Sequence, residues 1–347
     1  MDWLIAAPFS KSASDRWLCK YVPERTDRRF SSVVAGYEHD RSRRSSSLSH
    51  WRDYLAHGVR SWRMANRSPQ RTGLITCFPQ IPLGVGLCNM LMTDHVPTVA
   101  WTFNVGTLAR GFKQRVSAAA FAHIDLFVVH SRHEVKVCSN WLQLPEDRFR
   151  FVPLQRGLRT AARCEDPAHP FVLAMGSAHR DYGLLFRVLG ELGYPAVIVC
   201  GPHAVAGLHV PPNVELRTGL TQQQCHDLLS QARVHVVSVD NMTTASGQVT
   251  LLDAMMMRCP TVATACPGTV DYVDDEVDAL LVHPQEHEQL KVAISRLWED
   301  SELRARLANR ASRRMESSYS DEAVGQVMGE ILDEVERKWE AGSDPRT

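Results

Sequence analysis

Thr243–Leu281 reads TTASGQVTLLDAMMMRCPTVATACPGTVDYVDDEVDALL and decides the predicted fold of this chain. It begins as a loop of small residues and continues as a helix and a proline-led strand. A Pro-Gly turn and a short acidic helix then follow. In an α/β sheet, this order of elements places a loop and a helix start at the carboxyl end of a strand. Phosphate and ribose groups bind at such an edge, so the stretch predicts a site for a nucleotide diphosphate.

The start of the predicted helix supplies the phosphate-binding part of this site. Ser246 is the predicted N-cap, because its hydroxyl can accept from the helix and the apolar run begins three residues later. Backbone N–H groups at a helix N-terminus, aided by the positive end of the helix dipole, suit a phosphate. We therefore expect the backbone amides of Gly247, Gln248 and Val249 to contact phosphate oxygens.

A carboxylate two turns into the helix is the predicted ribose ligand. One face of the helix is formed by Ser246, Val249, Thr250 and Asp253. Leucine and methionine side chains occupy the other side, which we expect to be the core. Asp253 should therefore face an accessible cleft, where its two oxygens can accept hydrogen bonds from both hydroxyls of a ribose.

The composition is typical of a two-domain globular protein. The 347 residues are 44% hydrophobic, enough for two cores at roughly 150 residues per domain. No run approaches the roughly 18 apolar residues of a membrane span, and no basic leader precedes the first apolar run. The nine cysteines are scattered singly without C-x-x-C spacing, which favours a reducing compartment. These features predict a cytoplasmic protein.

Short apolar runs alternate with helical stretches, which predicts two α/β domains. Six strands are predicted in the first half, at 3–7, 31–35, 73–77, 97–103, 125–130 and 149–153. Six more are predicted in the second half, at 171–175, 196–200, 214–217, 234–238, 261–264 and 279–283. Helices are predicted at 48–65, 84–92, 108–121, 132–142, 286–299, 301–314 and 321–339. Residues 38–49 are predicted to form a mobile basic loop, and residues 155–169 a linker.

Three segments in order resemble the donor-binding half of the family-4 retaining glycosyltransferases of the GT-B fold. Phe171–Gly176 resembles the family's strand with a glycine at its end, and Val214–Gly219 resembles a later strand. The third segment begins at Asp253, continues through the strand Cys259–Thr264, and closes with Leu280–Pro284. The resemblance covers about residues 171–318 and is faint before them.

The resemblance implies a GT-B protein with two Rossmann-like domains that face each other across a cleft. The implied bounds are an acceptor domain at 1–158, a donor domain at 170–318, and a C-terminal helix at 320–340 that crosses back to the first domain. The implied reaction is metal-independent transfer of a sugar, with retention, from a nucleotide-diphosphate sugar to an acceptor. No cofactor besides this substrate is implied, and the residues do not decide between UDP and GDP.

The resemblance also implies ligands for the diphosphate next to the first matching strand. Gly176 ends that strand, and position 177 holds a serine where the family has an arginine. Arg180 is then the cation expected against the diphosphate. It would stabilise negative charge on the leaving group, which makes it a predicted catalytic residue.

Two positions depart from the family's pattern. Ala245, eight residues before Asp253, stands where the family has a glutamate that contacts the donor sugar. Asn104, within Trp101–Gly106, stands where the family has a histidine that faces this sugar. As a predicted catalytic residue, Asn104 can hold a sugar hydroxyl but cannot exchange a proton near neutral pH. The structural alternative is that Asn104 closes a turn before Gly106.

These departures leave other functions open. A degenerate GT-B protein would bind a nucleotide or a partner without turnover, and a sugar-nucleotide epimerase shares the same architecture. No D-x-D motif of the metal-dependent transferases occurs in the chain, so no metal site is predicted.

Charge is divided unevenly along the chain. Residues 1–165 carry 24 Lys and Arg against 13 Asp and Glu, a net charge of +11, and the remainder carries −11. The arginine-rich stretch 25–71 predicts contact with an anionic membrane, a lipid-linked acceptor or an anionic glycan, the alternative being an ordinary solvated surface. No nucleic-acid-binding motif accompanies these arginines, so nucleic acid is not a predicted partner.

The predicted helix at 48–65 offers candidate membrane anchors beside its arginines. These are the apolar and aromatic side chains of Trp51, Tyr54, Leu55 and Trp62. The same side chains could equally pack into the core of the domain.

Overall fold

The computed structural model describes residues 1–37, 48–106, 108–157 and 163–342. The chain forms two compact units. The first contains residues 1–153 together with 321–347, and the second contains residues 154–320. Most of the predicted basic loop, at 38–47, lies outside the described residues, and so does a part of the predicted linker, at 158–162.

Each unit is built on a sheet of six parallel strands. The first sheet contains β1 (Asp2–Ala6), β2 (Phe30–Ser32), β3 (Thr72–Cys77), β4 (Thr98–Trp101), β5 (Leu126–Val129) and β6 (Phe149–Phe151). The second contains β7 (Val172–Met175), β8 (Ala196–Val199), β9 (Val214–Arg217), β10 (Val234–Val237), β11 (Thr261–Thr264) and β12 (Leu280–Val282). All of the predicted strands are present, with ends that differ by a few residues.

Helices connect the strands, as parallel pairing requires. They are α1 (Leu48–Asn66), α2 (Gln80–Leu91), α3 (Phe112–Phe121), α4 (Arg132–Leu142), α5 (Tyr182–Leu192), α6 (Gln222–Gln231), α7 (Gln248–Met256), α8 (His287–Glu299), α9 (Ser301–Ser318) and α10 (Asp321–Glu340). Short 3-10 helices occur at Trp17–Tyr21, Glu146–Arg148 and Pro202–Ala204. Within the described ranges, none of the helices is both long and apolar enough to cross a bilayer.

The strand order of the second sheet contains a switch point between β7 and β10. Across this sheet the strands run β12-β11-β10-β7-β8-β9, so β7 and β10 are neighbours. From β7 the chain proceeds towards one edge of the sheet, and from β10 it proceeds towards the other edge. Doubly wound sheets bind ligands at such a switch point. In the first sheet, β2-β1-β3-β4-β5-β6, the switch point lies between β1 and β3.

Most of the inner strands are buried along their whole length and are mostly apolar. Every residue of β4, β5, β7, β8, β10 and β11 is buried. Successive residues enter different cores, so that Leu173 and Val237 lie on one side of the second sheet and Val172 and Val236 on the other. Continuous apolar strands are typical of parallel sheets covered on both faces, which is why the pattern predicted them.

The C-terminal helix α10 belongs to the first unit. Its side chains Val324, Met328 and Leu332 are buried in the same core as Trp3 and Ile5 of β1. This agrees with the predicted return of the last helix to the first domain.

Because α10 is acidic, it reduces the positive charge of the first unit. Arg28 is buried and pairs with Asp333 and with Glu336, whose Oε2 lies 2.8 Å from Nη2. Arg25 Nη1 lies 3.0 Å from Asp333 Oδ1. With α10 included, the first unit contains 24 Lys and Arg and 20 Asp and Glu, a net charge of +4. The charge asymmetry of the folded units is therefore smaller than that of the two halves of the sequence.

Two of the candidate membrane anchors on α1 lie in the core. Tyr54 and Trp62 are 9% and 7% exposed, and the Trp62 indole Nε1 donates to Asn89 Oδ1 at 2.7 Å. Trp51 is 37% exposed. For Tyr54 and Trp62 the core alternative is correct, whereas Trp51 stays accessible to solvent.

Candidate functional site

Two loops meet at the switch point of the second sheet, one after β7 and one after β10. Asp181 N donates to Ser238 O at 3.2 Å, and Asp240 N donates to His179 O at 3.2 Å. The two stretches that the family resemblance connected therefore lie next to each other at one end of the sheet.

Arg180 lies across the first of these loops. Its Nε donates to Met175 O at 3.0 Å, Nη1 to Ala178 O at 2.9 Å, and Nη2 to Thr250 Oγ1 at 3.2 Å. Gly176 has a φ of +112°, and a Cβ at this position would lie 2.6 Å from Nη2 of Arg180. A glycine therefore lets the guanidinium reach from the end of β7 to the first turn of α7.

The hydrogen-bond partners of Arg180 are all neutral. In the part of the chain that the structure describes, no carboxylate forms an ion pair with it. Burial lowers the pKa of Arg180, and Tyr182, Cys266 and Asp240 oppose this effect. The guanidinium nevertheless stays charged, because its ordinary pKa lies above about 12. A bound anion would supply a hydrogen-bonded countercharge, which these neutral partners do not provide.

The N-cap of α7 is Gly247 rather than the predicted Ser246. Gly247 adopts the left-handed conformation, with a φ of +89°, and no side chain caps the helix. Ser246 is buried, and its Oγ accepts from Asn241 Nδ2 at 3.2 Å. The serine therefore holds the loop before the helix. The first turn still presents the backbone N–H groups of Gln248 and Val249 at a helix N-terminus.

The Pro-Gly turn after β11 supports the same loop from another side. A Cβ on Gly268 would lie 1.8 Å from Ser246 O and 2.5 Å from Ser246 N. Only a glycine allows the two backbones to approach this closely.

Most of the predicted donor-binding residues lie together at this crevice, in the two loops or the first turn of α7. They are Gly176, Arg180, Ser246, Gly247, Gln248, Val249 and Thr250. Gln248 is buried, so it contributes to the site through its backbone more readily than through its side chain.

Helix periodicity predicted that Asp253 faces an open cleft. In the structure Asp253 is buried, with 6% of its surface exposed. Both of its oxygens accept from Arg156, with Nε 2.8 Å from Oδ1 and Nη2 2.9 Å from Oδ2. Nε2 of His226 lies 3.5 Å from Oδ1, at the outer limit of a hydrogen bond. Burial of the carboxyl raises its pKa, but His226 and Arg156 more than offset this, so the pKa of Asp253 is lowered. Asp253 is a buried, ionised partner of Arg156.

Arg156 is a candidate residue that the sequence analysis missed. It lies in the predicted linker 155–169, and no spacing rule connects it with Asp253 on α7. Its backbone N–H donates to Tyr319 O at 3.0 Å, so it also binds the segment before α10. The feature of the sequence that could have indicated Arg156 is Asp253, because a buried acidic side chain requires a cation as partner.

The two departures from the family's pattern lie in different units. Ala245 is 5% exposed in the second unit and provides no side-chain oxygen at its position. Asn104 follows β4 in the first unit, where its Oδ1 accepts from Gly106 N at 2.9 Å. Asn104 therefore closes a turn, as the structural alternative stated. Its contact with a donor sugar stays a prediction.

One group of possible metal ligands occurs in the described ranges. Glu191, His287 and Glu288 each place a ligand atom within 4.8 Å of the others. Both glutamates are exposed, and Lys291 Nζ already pairs with Glu191 Oε2 at 2.7 Å. Exposed acidic groups of this kind are common without an ion, so we assign no metal site to them.

The chain is similar to known glycosyltransferases in one segment of sequence and in overall structure. Residues 186–300 match the family model described as glycosyl transferases group 1. No curated protein matches the chain in sequence. A sucrose-phosphate synthase from Thermosynechococcus elongatus has 15% identity and a TM-score of 0.68, over 99% of this chain and 89% of that one.

Two further structures cover 96% of this chain and 100% of their own. HepE from Anabaena, solved in complex with UDP, has 13% identity and a TM-score of 0.67. The lipopolysaccharide outer core galactosyltransferase WaaB, in its apo form, has 12% identity and a TM-score of 0.66. These matches confirm the GT-B fold, and the group 1 segment, which includes α7, supports the prediction of a glycosyltransferase.

Proposed function

We propose that the protein transfers a sugar from a nucleotide-diphosphate sugar to a lipid-linked or other anionic acceptor, with retention and without a metal ion. The observation that carries this proposal is Arg180, a cation with neutral partners at the switch point beside α7. A diphosphate at this point would meet the Arg180 guanidinium and the backbone N–H groups of Gly247–Val249. Since HepE has been solved with UDP-glucose, UDP sugars are the first donors to test.

The chemistry follows from where charge develops. As the bond between the anomeric carbon and the diphosphate oxygen breaks, negative charge accumulates on the leaving diphosphate. Arg180 would stabilise that charge without rearrangement, because Met175 and Thr250 already hold its guanidinium in place. Fixed positive charge here takes the role that a divalent cation has in other transferases, which is our reason for proposing a metal-independent reaction.

Retention places the acceptor on the face of the sugar that the diphosphate leaves. The acceptor oxygen bonds to the anomeric carbon, and its proton passes to the departing phosphate. No protein base is then required, so Asn104, which cannot exchange a proton near neutral pH, is compatible with the reaction.

We propose Asp253 for the ribose hydroxyls in its Arg156-bound form. A carboxylate has about four lone-pair positions, and Arg156 uses two of them. Arg156 would then be a positioning residue that holds the carboxylate while the ribose binds its free lone pairs.

Binding without turnover is the second candidate function, and Ala245 favours it. A methyl group stands where the family that the chain resembles has a glutamate on the donor sugar. Contacts that fix this sugar for transfer must come from other residues, or they are missing.

A ligand panel followed by a turnover assay separates these functions. Thermal unfolding is measured with UDP, GDP and ADP and with a sugar derivative of each, since a ligand of the native state raises its stability by mass action. Stabilisation by one nucleotide and release of that nucleotide from its sugar derivative, by transfer or slow hydrolysis, support the transferase. Stabilisation without release supports binding of a nucleotide without turnover. No stabilisation by any nucleotide contradicts the transferase and leaves binding of a partner as the second candidate.

A further inference from the structure

The start of α3 in the first unit carries an exposed apolar face. Phe112 is 80% exposed, the highest value for a large hydrophobic side chain in the described residues, and Val116 one turn later is 38% exposed. The two side chains lie on the same side of the helix because they are four residues apart. Ala119, also exposed, continues this face into the next turn.

The same face is surrounded by unpaired positive charge. Arg110, Lys113 and Arg115 are exposed, and none has an ion pair or a side-chain hydrogen bond within the ranges that the structure describes. The sequence contains no aspartate or glutamate from His95 through Ile124. The three cations are thus not offset by acidic neighbours along the chain, unlike Arg28, which α10 neutralises.

The position of α3 connects this face with the carboxyl edge of the first sheet. The helix follows the loop that leaves β4, and Asn104 lies at the beginning of that loop. Gly111, with a φ of +65°, turns the chain into the helix and leaves Phe112 in the first turn. The exposed face therefore begins at the sheet edge where ligands of parallel sheets bind.

We propose that this α3 face docks on an anionic lipid bilayer, with Phe112 and Val116 in the interfacial layer and Arg110, Lys113 and Arg115 against the headgroups. Aromatic and aliphatic side chains flanked by cations are typical of interfacial helices. The partner is a bilayer because a surface of one charge sign matches three exposed cations that have no acidic neighbour from His95 through Ile124. The idea that docking brings the protein to a lipid-linked acceptor rests on the proposed function. Docking itself does not depend on that function.

The test is sedimentation of the full chain with vesicles of phosphatidylcholine alone or of phosphatidylcholine and phosphatidylglycerol. We expect binding to the anionic vesicles only, and weaker binding as salt rises. Phe112→Ser and the double variant Lys113→Gln/Arg115→Gln should each weaken binding at least tenfold. Equal binding of wild type and both variants, or no binding of the wild type to anionic vesicles at low salt, overturns the proposal.

Matched controls change exposed residues elsewhere. Leu91→Ser removes a side chain that is 72% exposed at the end of α2, and Arg310→Gln/Arg313→Gln removes two exposed cations from α9. Both should bind vesicles as the wild type does, and a similar loss in them would contradict a role for the α3 face. Stabilisation by the nucleotide panel is measured for every variant. A variant that loses vesicle binding but is still stabilised by the nucleotide is defective in docking only. If the nucleotides do not stabilise the wild type, the proposed function is contradicted and docking is not affected.

Discussion

Arg156 and Asp253 form an ion pair with two hydrogen bonds, 2.8 and 2.9 Å long, between positions 97 residues apart. The carboxylate residue is 6% exposed, whereas the arginine side chain retains 22% exposure. Removing one partner of a buried pair leaves the other charge uncompensated, which costs more than the intact pair contributes. The helix α7, whose first turn faces the candidate diphosphate site, thus depends on a residue from the segment that precedes β7.

Replacement of either partner should destabilise the fold, and the arginine should matter more. We expect Arg156→Ala to lower the free energy of unfolding by about 3 kcal/mol, because it leaves a buried carboxylate unpaired. For Asp253→Asn we expect a loss of about 1–2 kcal/mol, because the amide oxygen still accepts a hydrogen bond and the arginine is partly exposed. Denaturant unfolding measures both, and the double variant should lose less than the sum of the two.

A surface pair of the same geometry is the control. Arg217 and Glu215 on the edge strand β9 form hydrogen bonds of 2.7 and 3.0 Å, but both side chains are exposed. Arg217→Ala should therefore change the free energy of unfolding by less than about 1 kcal/mol. Equal losses in Arg156→Ala and Arg217→Ala would show that burial of Asp253 has no energetic consequence.

Arg180 is expected to supply binding energy for the nucleotide. Arg180→Ala should weaken binding of the nucleoside diphosphate found in the ligand panel by about 1.5–3 kcal/mol, the range for a hydrogen bond to a charged group. Titration calorimetry measures this change. Arg187→Ala, which removes an exposed arginine from α5 in the same unit, should leave affinity unchanged. Unchanged affinity in Arg180→Ala as well would remove Arg180 from the site.

The strands and the segments that follow them could be predicted because their signals are local. A run such as Val172–Met175 is apolar on both faces, and this pattern distinguishes a covered parallel strand from an exposed one without knowledge of its neighbours. Once two such strands are identified, the residues at their carboxyl ends are candidates for a common site. Gly176 and Arg180 were identified through the family resemblance, which matched the segment at the end of such a strand.

The predictions that were wrong concern contacts between residues that are far apart in the sequence. Helix periodicity showed that Asp253 shares a face with Thr250, but not that Arg156 would cover this face. Likewise, the aromatic stripe of α1 has the same pattern whether Tyr54 and Trp62 meet a membrane or a core. Capping preference favoured Ser246, whereas the close approach of Val237 Cγ1, 2.8 Å from a Cβ at position 247, requires a glycine as N-cap.

The turn after β11 provides a test of the loop that precedes α7. In Gly268→Ala the new methyl group would overlap the backbone O and N atoms of Ser246, and no side-chain rotation can relieve a clash with backbone. We expect a loss of about 3 kcal/mol or more in the free energy of unfolding, and weaker nucleotide binding because the loop must move. Denaturant unfolding and calorimetry measure the two effects.

Gly36→Ala is the matched control, because no atom of the described residues lies within 4 Å of a Cβ at that position. It should change stability by less than about 0.5 kcal/mol. If Gly268→Ala behaves like Gly36→Ala, the turn does not press on Ser246 as closely as the structure shows.

Buried His130 should make stability depend on pH in the weakly acidic range. It is 3% exposed at the end of β5, and its Nδ1 lies 2.8 Å from Val152 O. Burial lowers the pKa of His130 to about 4, although the hydrogen bond to Val152 O opposes the shift. In the unfolded chain the pKa is about 6.5, so the unfolded state takes up the proton first as the pH falls. The stability that depends on the neutral imidazole is therefore fully present above about pH 6.5 and is lost as the pH falls towards 4.

The variant His130→Asn removes this titration. Between pH 7 and pH 4, the free energy of unfolding of the wild type should fall by roughly 3 kcal/mol more than that of the variant, which corresponds to a pKa difference of about 2.5 between the two states. His169→Asn is the control, since His169 is exposed and bonds to exposed Asp166, and its pH dependence should match that of the wild type. Parallel curves for the wild type and His130→Asn would mean that the folded protein accommodates a protonated His130, and Val152 O could then accept from a charged imidazole at little cost.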